Sequence, residues 1–200
     1  MKLYITPGSP YARIARVVVL EKGLAGAVEV IAAPTRTTAS PYYAVNPSGR
    51  VPYLVLDDGT GMEDSDLICQ YLDRLDGRPK LWLPLDHADW EYGRLAMTAR
   101  SMTDGIAVLG REMRRPETER SPGIISHEIA RAGRLADYFN NAVSHPLMSG
   151  SLNLAQLILL AGLDFVRFHR LADLEGSRSA LGSWAASLRR HPSVAATVPA

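Results

Sequence analysis

The sequence has little of what would point to a chemistry of its own. It holds one cysteine, Cys69, which excludes an internal disulfide framework and a cysteine-rich metal site and fits a reducing compartment. Its histidines, His87, His127, His145, His169 and His191, are scattered, without the i, i+4 pairing of a zinc-binding helix, so no metal is expected. There is no Gly-x-Ser-x-Gly elbow to nucleate a hydrolase triad. The longest apolar run, around Leu157 to Leu163, stops at Asp164, well short of the ~20 residues that span a bilayer. A formal net charge of +1, with signs alternating along the chain, supplies neither a nucleic-acid footprint nor an electrostatic membrane anchor. The first residues enter a strand pattern directly, with no basic leader or apolar stretch, so no signal peptide is expected and a cytoplasmic location is. Internal repeats and low-complexity tracts are missing too.

What is present is enough apolar material for a real core, 46% of 200 residues, in one large domain or two small ones. The first eighty residues mix strand and helix signals, and the rest carries almost only helical periodicity. Lys2 to Thr6 reads as a strand. Ile14, Val17 and Val18 then fall at helical spacing, Gly23 supplies a stop, and Val28 to Ile31 reads as a second strand. Connections this short make a βαβ unit with a parallel pair. Asn46-Pro47-Ser48-Gly49 is a turn, Val51 to Leu56 is rich in strand formers, and Asp57-Asp58-Gly59 is a hairpin signal. Leu67, Ile68, Tyr71, Leu72 and Leu75 form the apolar stripe of a helix capped by Asp64 or Ser65, with Cys69 beside the stripe as a small buried hydrophobe.

Pro79 to Pro84, with Leu81-Trp82-Leu83, reads as a linker. Beyond it the pattern predicts four or five helices, roughly Asp86 to Arg114, Gly123 to Ala142, Leu154 to His169 and Ser179 to Arg190, with breaks at Pro116, Pro122 and His145-Pro146. Asn153 and Gln156 have capping-box spacing ahead of the third. The division is therefore a first domain over 1–78, a linker over 79–85 and a helical domain over 86–200.

The most informative stretch is Ser9-Pro10-Tyr11-Ala12, at the junction of the first strand and helix. Ser9 is a favourable N-cap and Pro10 suits the first helical position, so the hydroxyl sits at the positive end of a helix, where an anion is welcome. Val51-Pro52 and Asp64-Ser65 open later elements, giving further backbone and side-chain contacts for a small anionic ligand. In order and spacing, Ser9, the segment Asn46-Pro47-Ser48-Gly49-Arg50-Val51-Pro52, Asp64-Ser65 and the helical second half resemble the glutathione transferase family. Trp184, Leu188 and Arg190 to Val194 resemble its closing helix and tail, so the likeness covers nearly the whole chain.

The resemblance implies an α/β thioredoxin-like N-terminal domain followed by an all-α C-terminal domain, and a reaction in which the thiolate of glutathione attacks a small hydrophobic electrophile. It implies a cis Val51-Pro52 peptide that turns the Val51 N–H and C=O toward the peptide ligand. Arg50, Val51, Pro52, Asp64 and Ser65 would bind glutathione, with Asp64 on its ammonium and Ser65 on its carboxylate. Ser9, or else Tyr11, would stabilise the thiolate. Tyr11, Met97, Ser101 and Met102 would line the electrophile pocket. A homodimer follows from the same likeness, with Tyr71, Arg74 and the long helix as contributors. Two alternatives share the scaffold: a non-catalytic binding or scaffolding protein, and a glutathione-dependent lyase, isomerase or dehalogenase.

The thiol chemistry sets what such a site must supply. A thiol of pKa about 8.5 is only a few per cent thiolate at neutral pH, and lowering that value by about two units takes roughly 2.7 kcal/mol of preferential anion stabilisation. The thiolate fraction then rises about 25-fold while each thiolate loses roughly tenfold in nucleophilicity. Ionisation alone gains only a few-fold, so holding sulfur and electrophile together must supply most of the rate. Ser9-Pro10-Tyr11-Ala12 also has the frame of the Cys-Pro-Tyr-Cys redox site of glutaredoxins, with both thiols replaced, so disulfide exchange is not expected.

Overall fold

The computed structural model describes residues 1–78, 80–81 and 90–199. It divides into two compact units, Met1–Trp82 with the tail Ala196–Ala200, and Leu83–Ala195. The expected linker lies outside the described residues except for Lys80 and Leu81, as does the expected helix start at Asp86.

The first unit runs β1 (Lys2–Ile5), α1 (Pro10–Glu21), β2 (Glu29–Ala32), α2 (Tyr42–Val45), β3 (Tyr53–Val55), β4 (Gly61–Glu63) and α3 (Ser65–Arg74). The sheet order is β2-β1-β3-β4. Strand β1 is parallel to β2 and antiparallel to β3, which is antiparallel to β4. Leu3 and Leu54 face each other across β1 and β3, fully buried with Ile5 close behind. Helix α1 buries most of its length from Pro10 to Val19 and packs on α3.

The expected stripe on α3 needs correction. Ile68 and Leu72 are fully buried, and Cys69 is buried beside them, but Leu67 and Leu75 stand exposed. A ten-residue helix packed on α1 and on β3 and β4 from one side buries a narrow face, and Ser65 and Asp73 complete it in place of the two leucines. Asp73 is fully buried and accepts from the Lys80 N–H (3.0 Å) and the Leu81 N–H (2.9 Å). Its counter-charge is Lys22, at the C-terminus of α1, whose Nζ lies 3.7 Å from Asp73 and bonds Asp76 (2.9 Å) and the Arg78 carbonyl (2.6 Å).

The second unit contains α4 (Trp90–Glu112), a 3-10 turn at Glu117–Glu119, α5 (Pro122–Ala142), α6 (Pro146–Ser149), α7 (Leu154–His169), α8 (Ser179–Leu188) and α9 (Pro192–Ala195). The Ser-Pro start recurs at α5, where Ser121 Oγ accepts from the Ile124 N–H, so that helix begins at Pro122. Helix α7 is its buried axis, covered from Leu154 to Val166. Both halves of its capping box form: Asn153 accepts from the Gln156 N–H (3.2 Å) and Gln156 accepts from the Asn153 N–H (3.3 Å).

Helices α4 and α7 approach closely because Gly162 faces Thr103, whose hydroxyl lies within 3.1 Å of both the Ala99 and the Ile158 carbonyls. A methyl group on Gly162 would lie 2.7 Å from Thr103 Oγ1, closer than packed atoms tolerate. Gly162→Ala should therefore lower unfolding stability by about 1–3 kcal/mol through overpacking, measured by denaturant titration. An unchanged midpoint would show that the helices separate freely at this contact.

Candidate functional site

The residues singled out in the first unit converge through strand register. Tyr4 of β1 is opposite Tyr53 of β3, which is opposite Glu63 of β4. That row is the last of each ladder. Just beyond it β1 passes into the turn before Ser9, β3 is entered from Val51-Pro52, and β4 passes into Asp64-Ser65. All three segments thus lie at one end of the sheet.

At that end Ser9 has extended backbone (φ −78°, ψ 123°) and caps α1, its Oγ accepting from the Ala12 N–H at 3.2 Å, with Pro10 next. It is half-buried, like Tyr11. Asp64 caps α3, with Oδ1 accepting from the Asp66 N–H (2.8 Å) and the Leu67 N–H (3.3 Å). Its backbone has φ +78°, a region costing a non-glycine residue about 1–3 kcal/mol. Asp64 is exposed, and Ser65 beside it is buried. The Val51–Pro52 peptide is cis, as the resemblance implies. Val51 lies outside the sheet ladders, since β3 begins at Tyr53.

Residues the sequence reading passed over hold this segment. Asn46 is buried, and its Nδ2 donates to the Arg50 carbonyl at 3.0 Å, which also accepts from the Tyr42 hydroxyl. Asn46 Oδ1 accepts from the Ser48 N–H (3.1 Å) and Ser48 Oγ accepts from the Arg50 N–H (3.1 Å). The Ser48 hydroxyl also bonds Glu63 of β4. Burial pushes the Tyr42 phenol up from its ordinary pKa, with the Asn46 hydrogen bond opposing, so Tyr42 stays a neutral donor. Gly49 has φ +68° and passes so close to Tyr43 that a Cβ would sit 2.6 Å from its ring. Asn46-Pro47-Ser48-Gly49 is legible in sequence as a turn. That its asparagine points inward to hold a carbonyl four residues on is not.

Of the expected electrophile-pocket residues, Met97 and Met102 occupy different faces of α4. Met97 is 48% exposed and Met102 1%, so Met102 belongs to the core and not to an open surface. Ser101 is half-buried. Arg50 has an exposed side chain. Among the described residues no cluster of three or more His, Cys, Asp or Glu could hold a metal ion, and no helix is long and apolar enough to cross a membrane.

A four-stranded mixed sheet carrying a Ser-Pro helix start, a cis X-Pro segment and a capped Asp-Ser pair at one end, followed in sequence by a helical unit, defines a glutathione transferase fold. The family profile described as glutathione S-transferase, N-terminal domain, matches residues 3–80. The chain is 28% identical to glutathione S-transferase 2 of Saccharomyces cerevisiae, over 97% of this chain and 88% of that protein. A glutathione S-transferase of Methylobacillus flagellatus with glutathione bound superposes with a TM-score of 0.87 at 25% identity, covering 100% of this chain and 99% of that one. A glutathione transferase family member from Pseudomonas fluorescens with bound glutathione superposes with a TM-score of 0.88 at 25% identity, covering 100% and 98%. The same family member was also solved with S-(propanoic acid)-glutathione. Residues 3–80 thus match the N-terminal domain of the glutathione S-transferase family, and the whole chain is similar in fold to glutathione S-transferases.

The Asn46 network makes a prediction independent of any ligand. Asn46→Ala leaves the Arg50 carbonyl and the Ser48 amide each short of a partner, and should cost about 1–3 kcal/mol of stability. Amide hydrogen exchange should speed up from Ser48 to Tyr53 while α7 keeps its protection. Uniform acceleration across both units would contradict a local role.

Proposed function

We propose that the chain binds glutathione at the shared end of its sheet and conjugates the glutathione thiolate to small hydrophobic electrophiles, as a cytoplasmic enzyme without a metal. The observation that carries this reading is the Tyr4–Tyr53–Glu63 row, which sets a helix N-terminus, an unladdered backbone segment and a carboxylate-hydroxyl pair side by side. Each suits a different part of a γ-glutamyl tripeptide. The Val51 N–H and C=O pair with its backbone as an added strand would. Asp64 meets the ammonium, Ser65 the carboxylate, and Arg50 adds a cation at the rim. Glutathione in the related solved structures supports the same ligand here.

At the sulfur, Ser9 is the proposed catalytic residue. Its oxygen already accepts from the Ala12 N–H, and its proton remains to be donated, which one hydroxyl can do at once. The helix N-terminus adds its partial positive charge. Tyr11 sits one residue inside the helix, and its phenol extends several ångströms further. A homodimer goes with this reading, with Tyr71, Arg74 and α4 as contributors, and the 52% exposure of Leu67 adds an apolar residue to the outer face of α3.

Calorimetric titration tests the binding half. Asp64→Asn retains a good N-cap while removing the charge, and Ser65→Ala removes the hydroxyl. Each should weaken glutathione binding by about 1–3 kcal/mol, and unchanged affinity in both would remove this site assignment. A panel of electrophiles tests the catalytic half: binding without turnover of any of them would make the chain a binding protein on a transferase scaffold.

The choice between hydroxyls is read from the pKa of bound glutathione, followed by thiolate absorbance. Ser9→Ala should raise it by about one unit or more, the equivalent of about 1.4 kcal/mol, and Tyr11→Phe should leave it in place. The reverse pattern would transfer the role to Tyr11.

A further inference from the structure

We propose that Tyr42 is a positioning residue for the bound peptide: with Asn46, its hydroxyl fixes the plane of the Arg50–Val51 peptide, so that the Val51 N–H is held outward as a donor to the ligand backbone. The proposal rests on the glutathione reading above and adds the side chain that aims one of its contacts. Tyr42 and Asn46 stand four residues apart across the single turn of α2, which the Asn46 N–H closes on the Tyr42 carbonyl at 2.9 Å, and that spacing puts both side chains on one face. Both are buried, at 3% and 2% exposure. They converge on one oxygen, the Arg50 carbonyl, which accepts from Asn46 Nδ2 at 3.0 Å and from the Tyr42 hydroxyl. The Tyr42 ring lies against Tyr4 of β1, with centroids 5.5 Å apart, so the hydroxyl is set relative to the sheet.

Two donors on this oxygen do more than satisfy it. A buried carbonyl is satisfied by one hydrogen bond, yet it has two lone pairs, and a peptide held at a single bond still swivels about it. A second donor from a separate side chain removes that freedom. The Arg50–Val51 peptide is trans, so its N–H points opposite to its C=O. With the oxygen turned toward Tyr42 and Asn46, the Val51 N–H is turned away from both, and among the described residues it makes no hydrogen bond. The reversed plane would bring that N–H against two donors, and Asn46 Oδ1 already accepts from the Ser48 N–H at 3.1 Å.

The same two bonds strengthen the outward donor. Hydrogen bonds in a chain polarise one another by about 10–30% each, so charge drawn to the Arg50 oxygen leaves the Val51 N–H more positive. Burial holds the Tyr42 pKa above its ordinary value, which keeps the phenol protonated and donating. A phenylalanine would fill the same space against Tyr4 and leave Asn46 to satisfy the carbonyl alone. The hydroxyl is therefore dispensable for packing, and what it contributes is the second bond on the peptide that presents Val51.

The test is calorimetric titration of the whole protein and its Tyr42→Phe variant with glutathione, together with the amide resonance of Val51. The variant should bind about three- to tenfold more weakly, the range for one hydrogen bond, while the pKa of the bound thiol stays in place, because the hydroxyl acts on the backbone contact and not on sulfur. Without ligand, the Val51 amide nitrogen should shift in the variant, since it responds to hydrogen bonding at the preceding carbonyl. A Tyr42→fluorotyrosine variant, which keeps the ring and donates more strongly, should shift it the opposite way, and this comparison decides even where Tyr42→Phe fails to fold. Unchanged affinity in Tyr42→Phe, weaker binding with an unmoved Val51 nitrogen, or a fluorotyrosine shift of zero or of the same sign would each overturn the role. Wild-type protein that bound no glutathione would overturn the glutathione reading and this role together, whereas wild-type binding with unchanged affinity in Tyr42→Phe would overturn this role alone.

Discussion

The candidate site depends on the register of three short strands. Side chains alternate along a strand with a period of two, so a slip of one residue between β1 and β3 would turn Leu54 away from the buried face that it shares with Leu3. At roughly 2 kcal/mol for each large apolar side chain moved into water, such a slip is strongly disfavoured, and the pairing is fixed by apolar burial alone. Once it is fixed, the strand ends from which Ser9, Val51 and Asp64 follow are brought together as well, because each lies a set number of residues beyond the Tyr4–Tyr53–Glu63 row. The polar geometry at the sheet end is a consequence of the hydrophobic core.

Register alone does not immobilise the segment before β3. A three-residue strand offers few ladder bonds, and Val51 lies outside them. The Asn46 and Tyr42 donors on the Arg50 carbonyl, with the Ser48 bridge to Glu63, supply what the ladder lacks and tie the loop to β4. Ordering a backbone residue costs about 1–2 kcal/mol. Because these side chains order the loop during folding, that cost does not recur when a ligand binds. Asp64 follows the same logic, since the two amides of α3 that it accepts from hold its carboxylate where a positive φ has placed it.

Signals that act within a few residues are legible in the sequence. Ser9-Pro10, Asn153 with Gln156, and the hairpin at Asp57-Asp58-Gly59 each report local backbone needs that one side chain satisfies, and the structure forms all three. The order of strands and helices follows from period and connection length. What was not legible depends on how side chains turn and pack once their elements have formed, and on backbone geometry that residue type does not report. Leu67 and Leu75 have the right spacing for a buried stripe, yet α1 and the strands β3 and β4 packed on α3 cover only Ile68, Cys69 and Leu72 of its apolar residues. Asn46 reads as a turn former because nothing local says that it faces Tyr42 and Arg50. Asp64 gives no hint of a positive φ, and Met102 could not be told from Met97 until the neighbours of α4 were known. Cys69, read as a small buried hydrophobe, is one.

The treatment of charge is consistent across both units and makes the exceptions informative. Buried carboxylates are matched by backbone amides, by an opposite charge, or by both: Asp73 with the Lys80 and Leu81 amides and Lys22, Asp164 with Arg189. Such pairs contribute little net stability but are costly to break on one side, since the partner is then buried alone. An exposed arginine is by contrast ordinary, as at Arg74, Arg111 and Arg134. What distinguishes Asp64 is its surroundings. Asp64 stands at a helix N-terminus and beside an unladdered strand entrance. A ligand charge meets least desolvation penalty where the protein's own opposing charge has no ion-pair partner and the backbone beside it is already shaped, and in this chain those two conditions coincide at Asp64.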